Sequence, residues 1–281
     1  MRKYISACLL CTALFALCAC GKDIPKQPSG QLLDLNKFEL AWSDEFDGDS
    51  LDRGIWDGHF YDLDGEAFPR VDGWWCKDMA RVEDGMLRIS TVYSEEGMAG
   101  GPAGYYTAGI DTSGRFEQKF GYFEARCMLP KGQGLWSAFW MLTMEMGNVD
   151  GSGRDGMEVD IFESPYYHYE DKARRDAVQS GGLHYDGYGE AHRMTALGRF
   201  SVEEPYDTFH TYGVEWNEDE YIFYIDGVET GRSSFGGVCQ NPLFLILSVE
   251  VGGWAGDITR NEVMTDFVVD YVRAYQYKEP A

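Results

Sequence analysis

The sequence predicts an all-β domain of the sandwich or barrel type, and three observations carry that prediction. From about Phe38 onward, short alternating apolar and polar runs recur between Gly, Asp and Asn punctuation. Helix signals are nearly missing over the same stretch. Tyr221-Ile-Phe-Tyr-Ile runs into Asp226-Gly227 and Val228, and Asp-Gly favours the primed turn whose twist suits a β-hairpin.

The elements follow in order. Phe120-Gly-Tyr-Phe-Glu-Ala-Arg-Cys-Met-Leu alternates as a strand with one buried face. Leu243 to Val251 is a nearly continuous apolar run between Asn241-Pro242 and Gly252-Gly253, which predicts a strand buried on both faces. Val268, Asp270, Val272 and Ala274 alternate with Val269, Tyr271, Arg273 and Tyr275, a closing strand with an aromatic face. With no internal repeat and no break in composition, residues 37–281 read as a single domain. The 34 glycines predict many tight turns, bulges and close approaches of backbone to ligand.

Ahead of the domain, Arg2 and Lys3 precede an apolar stretch from Ile5 to Cys18, too short for a bilayer span and suited to a signal peptide. It ends in Leu17-Cys18-Ala19-Cys20, which resembles the lipobox of bacterial lipoproteins. Residues 1–19 are therefore expected to be a leader, Cys20 the lipidated residue, and the protein exported and anchored in the cell envelope. Residues 20–36, with Pro25, Pro28, Ser29 and Gly30 and no hydrophobic period, read as a tether. Contact with the membrane is then through the lipid anchor only.

The chain has 24 Lys and Arg against 47 Asp and Glu, a net charge of −23. That sign repels phosphate backbones and anionic headgroups, so it argues against nucleic acid and electrostatic membrane binding and leaves neutral or cationic partners. The domain holds Cys76, Cys127 and Cys239, an odd number, so at most one disulfide can form and buried free thiols are expected. No zinc-type cysteine spacing and no HExxH motif is present, which argues against a transition-metal enzyme and leaves no metal assigned.

The most informative segment is Gly156-Met-Glu-Val-Asp-Ile-Phe-Glu-Ser164. In a strand Glu158 and Asp160 share one face, and Glu163 returns to it only if a β-bulge absorbs one residue between Asp160 and Glu163. Three carboxyl groups so placed cannot all ionise freely, and at least one pKa must rise, as a general acid requires. Glycoside hydrolysis uses such carboxyl pairs, and a solvated acidic strand face or a cation site is the alternative. Eight Trp and 18 Tyr are many for this length, and most must fill the core. Trp74 and Trp75 in VDGWWCKD and Trp254 in GGWAGD sit among polar residues and are candidates for stacking on sugar faces.

The run EVDIFE resembles the bulged E-x-D-x-x-E signature of glycoside hydrolase family 16, as found in its laminarinase-like and endo-β-galactosidase-like members. Trp42-Ser-Asp-Glu-Phe-Asp, Lys131-Gly-Gln-Gly-Leu-Trp-Ser-Ala-Phe-Trp-Met, Phe209-His-Thr-Tyr-Gly-Val-Glu-Trp, Ser248-Val-Glu-Val-Gly-Gly-Trp and Asp270-Tyr-Val-Arg-Ala-Tyr-Gln follow in the family's order. The resemblance spans roughly residues 40–277. It implies a β-jelly roll of two antiparallel sheets with a cleft across the concave face, and a retaining endo-β-glycosidase acting on β-1,3 or β-1,4 linkages. It implies Glu158 as nucleophile, Glu163 as general acid/base and Asp160 as the residue that orients the nucleophile. Trp136 and His184 fall where the family contacts sugar, and Trp140 is the better core residue. No cofactor is required by the resemblance, a structural calcium near Asp270 is allowed, and the protein is expected to act as a monomer. Val71-Asp-Gly-Trp-Trp-Cys-Lys-Asp-Met-Ala-Arg departs from the laminarinase-like loop pattern, Ser137 replaces the usual Pro, and a polar insertion runs from Tyr166 to Ser180. Glucan and galactoside both stay open, as does a non-catalytic glycan-binding jelly roll.

Overall fold

Alternation sorts side chains to two faces of each strand, and the apolar faces of two antiparallel sheets meet in one core. The computed structural model describes residues 24–57, 66–260 and 263–279. The leader expected over residues 1–19 and Cys20 lie outside the described residues. One sheet runs, edge to edge, through the strands Arg193–Ser201, Ala177–Tyr185, Glu158–Pro165, Leu135–Leu142, Leu243–Val251 and Gly109–Asp111, with Glu117–Gln118 also pairing the fifth. The second runs through Val228–Ser233, Tyr221–Ile225, His210–Trp216, Gly121–Met128, Phe267–Tyr277, Met86–Ile89 and Ala80–Glu83, with Phe38–Asp44 added on the long C-terminal strand. Phe139, Met141, Val159, Ile161, Leu245 and Leu247 of the first sheet pack with Phe123, Tyr212, Val214, Trp216, Val269 and Val272 of the second in one buried cluster. The expected all-β jelly-roll sandwich is the fold. The described α-helices are two single turns, Arg53–Trp56 and Lys172–Arg175, each opened by an aspartate that accepts a backbone N–H.

The hairpin at Asp226-Gly227 forms as expected, with both turn residues at positive φ, 49° and 72°. Leu243–Val251 is buried along its whole length. Its second face is covered by a small third sheet of Phe68–Pro69, Trp74–Trp75, Gly104–Thr107 and Val92–Ser94, where Trp75 packs with Leu142, Phe244 and Ile246. Cys76, Cys127 and Cys239 are buried free thiols.

Two expectations need correction. The tether expected over residues 20–36 is docked along its described part. Lys26 N–H donates to Arg199 O at 2.9 Å, Gly30 N–H to Glu229 O at 2.9 Å and Leu33 N–H to Gly227 O at 2.8 Å. The segment thereby satisfies groups on the outermost strand of each sheet, which would otherwise present unpaired backbone. Strict alternation also fails in the C-terminal strand, where a register shift leaves Asp270 unopposed and buries both Val268 and Val269. Asp270 forms an ion pair with Arg126 at 2.6 Å.

Candidate active site

The strand Glu158–Pro165 lies between Leu135–Leu142 and Ala177–Tyr185. The bulge foreseen between Asp160 and Glu163 is present: the register steps from Trp140–Asp160 to Phe139–Phe162 and leaves Ile161 unopposed. Val159, Ile161 and Phe162 therefore all enter the core, while Glu158, Asp160 and Glu163 line one cavity of about 270 Å³. The neighbouring strand accommodates this with two glycines. Gly181 takes φ +76°, a left-handed conformation suited to glycine, and a Cβ on Gly182 would stand 2.3 Å from Asp160 Oδ2.

The cavity is walled by Trp136, Ala138 and Trp140 of one strand, Ser248 and Glu250 of the next, and Arg70 and Tyr188 from loops. Trp140 Nε1 donates to Ser248 Oγ at 3.1 Å. Arg70 is ion-paired with Glu250 and lies over the Trp75 ring, 4.2 Å from its centroid. Burial pushes the Glu250 carboxyl up despite this partner.

His184 stands directly across the strand pair from Glu158. Its Nε2 is 3.1 Å from Asp160 Oδ2, its Nδ1 is 3.9 Å from Glu158 Oε1, and the same Nδ1 is 2.9 Å from His192 Nε2. Burial opposes charge on this ring, but the hydrogen bond it donates to Asp160 and the charges of Asp160, Glu158 and Glu163 outweigh it and push the pKa up to about 9. His192 moves the opposite way, lowered by burial and by the His184 cation. Burial, then the charge of Asp160, raises Glu158, against the opposing pull of His184 and the Tyr188 hydroxyl. Burial, then the charges of Asp160 and Glu158, raises Glu163, with a hydrogen bond from Trp136 on the opposing side. Glu158, Asp160 and His184 each offer a ligand atom within 4.8 Å of the others. An imidazolium has no lone pair to give a cation, so a metal ion at this trio would have to displace the His184 proton that pairs with Asp160. Such a cluster can hold one carboxylate ionised and its partner protonated in the same pocket, the division of labour that acid-assisted displacement at an acetal carbon requires.

The structure brings together Glu158, Asp160, Glu163, Trp136 and His184 as expected. Trp136 is almost fully buried, with its indole committed to Glu163 and its ring 5.8 Å from that of Trp254. Trp254, 41% exposed, offers an open face beside it. Trp140, expected as core, lines the cavity as well as packing with Trp75 and Leu142. Trp75 is a correction: it is 0% exposed, donates Nε1–H to Val249 O at 2.9 Å and lies beneath Arg70, so it supports the wall and offers no face to a sugar. Trp74 is half-buried and stacks near Tyr106. Trp75→Ala should accordingly cost about 3–5 kcal/mol of stability, measured by urea denaturation. Sequence reasoning missed Arg70, Glu250, Tyr188 and His192. The Ser248-Val-Glu-Val motif held a usable signal for Glu250, because a carboxylate inside an otherwise apolar buried strand requires a partner.

The family model described as "Beta-porphyranase A-D, GH16 domain" matches residues 37–277. Among curated proteins the chain is 28% identical over 272 residues to Glucan endo-1,3-beta-glucosidase A1 of Niallia circulans, covering 85% of this chain and 38% of that protein. It is 26% identical over 258 residues to Keratan-sulfate endo-1,4-beta-galactosidase of Sphingobacterium multivorum, covering 85% and 55%. The chain thus spans little more than half the length of these relatives, or less. Among solved structures, the laminarinase catalytic domain of Thermotoga maritima MSB8 superposes with a TM-score of 0.69 at 30% identity, covering 86% of this chain and all of that one. A family match across nearly the whole domain, on a jelly roll that places the three acids of the signature in one cavity, makes this chain a member of glycoside hydrolase family 16, within its β-porphyranase A–D type of domain.

Proposed function

We propose that the chain is a retaining endo-β-glycosidase that hydrolyses internal β-1,3 or β-1,4 linkages of a neutral polysaccharide or glycan. The observation that carries this reading is the bulged strand that places Glu158, Asp160 and Glu163 on the wall of one cavity lined by Trp136 and Trp140. In the first step a Glu158 carboxylate oxygen bonds to the anomeric carbon as the glycosidic C–O bond breaks, and Glu163 gives its proton to the departing oxygen. In the second, Glu163 takes a proton from water, the hydroxide oxygen bonds to the anomeric carbon, and the Glu158 ester bond breaks to restore both side chains. Asp160, held by His184, fixes the charge next to Glu158 and keeps its neighbours from ionising together. The reaction draws on side chains and water alone.

Substrate charge follows from the walls. Among the described residues Glu158, Asp160, Glu163 and Glu250 line the cavity with one guanidinium, Arg70, which Glu250 pairs, and with the His184 ring behind Asp160, so acids outnumber cations and a neutral chain fits better than a sulfated one. The two curated relatives are, by their names, an endo-1,3-β-glucosidase of glucan and an endo-1,4-β-galactosidase of keratan sulfate, so both backbone classes belong in the substrate test. Export and anchoring through Cys20 are assigned from the leader. The test is product analysis of the domain against laminarin, mixed-linkage β-glucan, agarose, porphyran, keratan-type and mucin glycans. Internal cleavage of one class supports the reading. Cleavage of none, with binding of one, supports a sugar-binding module instead. Trp254→Ala should raise KM for the cleaved polymer about 5–10-fold while leaving stability within about 0.5 kcal/mol, since its ring is a surface platform; initial rates and denaturant midpoints check both.

A further inference from the structure

The hairpin loop after His184 returns over the acids with two side chains that the two-step reaction leaves without a task. Tyr188, whose ring is largely exposed, donates its phenol O–H to Glu158 Oε2. His192 places Nε2 2.9 Å from His184 Nδ1, with the rings stacked at 18° and their centroids 5.1 Å apart.

A protonated His184 donates from both nitrogens: Nε2–H to Asp160 at 3.1 Å and Nδ1–H to the unprotonated Nε2 of His192. The alternative target of Nδ1–H, Glu158 Oε1, is 3.9 Å away and beyond hydrogen-bond reach. The two oxygens of Glu158 are therefore treated differently. Oε2 is occupied by a donor, and Oε1 is spared one because His192 accepts it. Also facing Glu158 are Asp160 and Glu163 from its own strand, His184 from the adjacent strand, and Arg70 with its partner Glu250 across the cavity.

We propose that Tyr188 and His192 are positioning residues for hydrolysis: Tyr188 pins Oε2 of Glu158 so that Oε1 is the attacking oxygen, and His192 draws the Nδ1 proton of His184 away from Glu158. The assignment rests on the hydrolase reading above. It gives the loop between Tyr185 and Arg193 a defined role, which neither the acid signature nor the strand register supplies.

The experiment uses the intact protein and its Tyr188→Phe, His192→Phe and His192→Gln variants. Each is assayed across pH on the panel polysaccharide that the wild type cleaves, and the His184 ring is titrated by NMR without substrate. Tyr188→Phe removes a donor that favours the ionised carboxylate. Its kcat should fall about 10–100-fold with KM within about twofold, and the acidic limb of kcat/KM should move up by about one pH unit. His192→Phe should lower the His184 titration by about one pH unit and reduce kcat, whereas His192→Gln, whose amide oxygen accepts the same proton, should restore both. An unchanged pH profile in Tyr188→Phe, or an unmoved His184 titration in His192→Phe, overturns the proposal. The titration separates the two readings: the shift with no cleavage by the wild type sinks the hydrolase and leaves the hydrogen-bonded relay, while cleavage with no shift sinks the relay alone.

Discussion

Glu158→Gln is expected to fold and to lose about 10⁴-fold or more of the wild-type kcat on its polysaccharide, because removing the nucleophile of a covalent mechanism abolishes the step rather than slowing it. The amide matches the carboxylate in size but cannot form the ester with the anomeric carbon. The residue is nearly fully buried, opposite His184, so an isostere is needed to avoid a cavity that would confound the result. A second variant reads the chemistry directly. Glu158→Gly leaves a space that azide can enter, and its nitrogen can bond to the anomeric carbon as Glu163 protonates the departing oxygen. An α-glycosyl azide is the expected product, since a single displacement inverts a β linkage. Initial rates of the glutamine variant and NMR of the azide product check both statements.

Glu163→Gln is expected to lower kcat on polysaccharide by about 10²–10⁴-fold, the range that general acid–base catalysis supplies, and to stabilise the fold at alkaline pH. The second effect follows from the direction of the shift. Burial and the charges of Asp160 and Glu158 raise the Glu163 pKa in the folded state, so the folded protein holds a proton that the unfolded chain releases above the ordinary glutamate value of 4.5. This favours folding fully below that value and is lost as pH rises through the folded-state pKa. An amide imitates the protonated form at every pH. Wild type and Glu163→Gln should therefore melt alike near pH 4, and at pH 8 the variant should gain at least about 1 kcal/mol, roughly 2–4 °C for a domain of this size. Melting temperatures across pH 4–9 check this. His184 acts in the same direction, since its raised pKa stabilises the fold below 6.5 and that contribution is lost as pH passes about 9. An active site that is destabilised so that it can hold its charges is the usual exchange of stability for activity.

Much of this site was legible in the chain because its geometry is set by local period. The spacing of Glu158, Asp160 and Glu163 demands one bulged residue if all three are to share a face, and Ile161 is that residue. Leu243–Val251 was readable as a doubly buried strand from its unbroken apolar run. The reason for its second burial was not, because the covering sheet is built partly from two-residue strands, including a parallel pair of Trp74 with Tyr106, too short to show any period. That same sheet buries Trp75 and thereby turns a candidate sugar platform into a support for Arg70. Arg70 and Glu250 meet across 180 positions of sequence, and no local pattern announces such a pair. Tyr188 and His192 lie in a hairpin loop whose polar composition is ordinary, and only the pairing of Glu158 with His184 reveals what the loop overhangs. The docked segment from Lys26 to Leu33 was hidden for a related reason, since its bonds are made by backbone, to which composition is blind.

The most direct test of the central claim is the anomeric configuration of the first product, followed by proton NMR during early turnover of whichever panel polysaccharide is cleaved. Glu158 as nucleophile and Glu163 as acid then base give two inversions, so the β-anomer should appear first and mutarotate to the α-form afterwards. First appearance of the α-anomer would mean a single displacement by water and would contradict the assignment of Glu158.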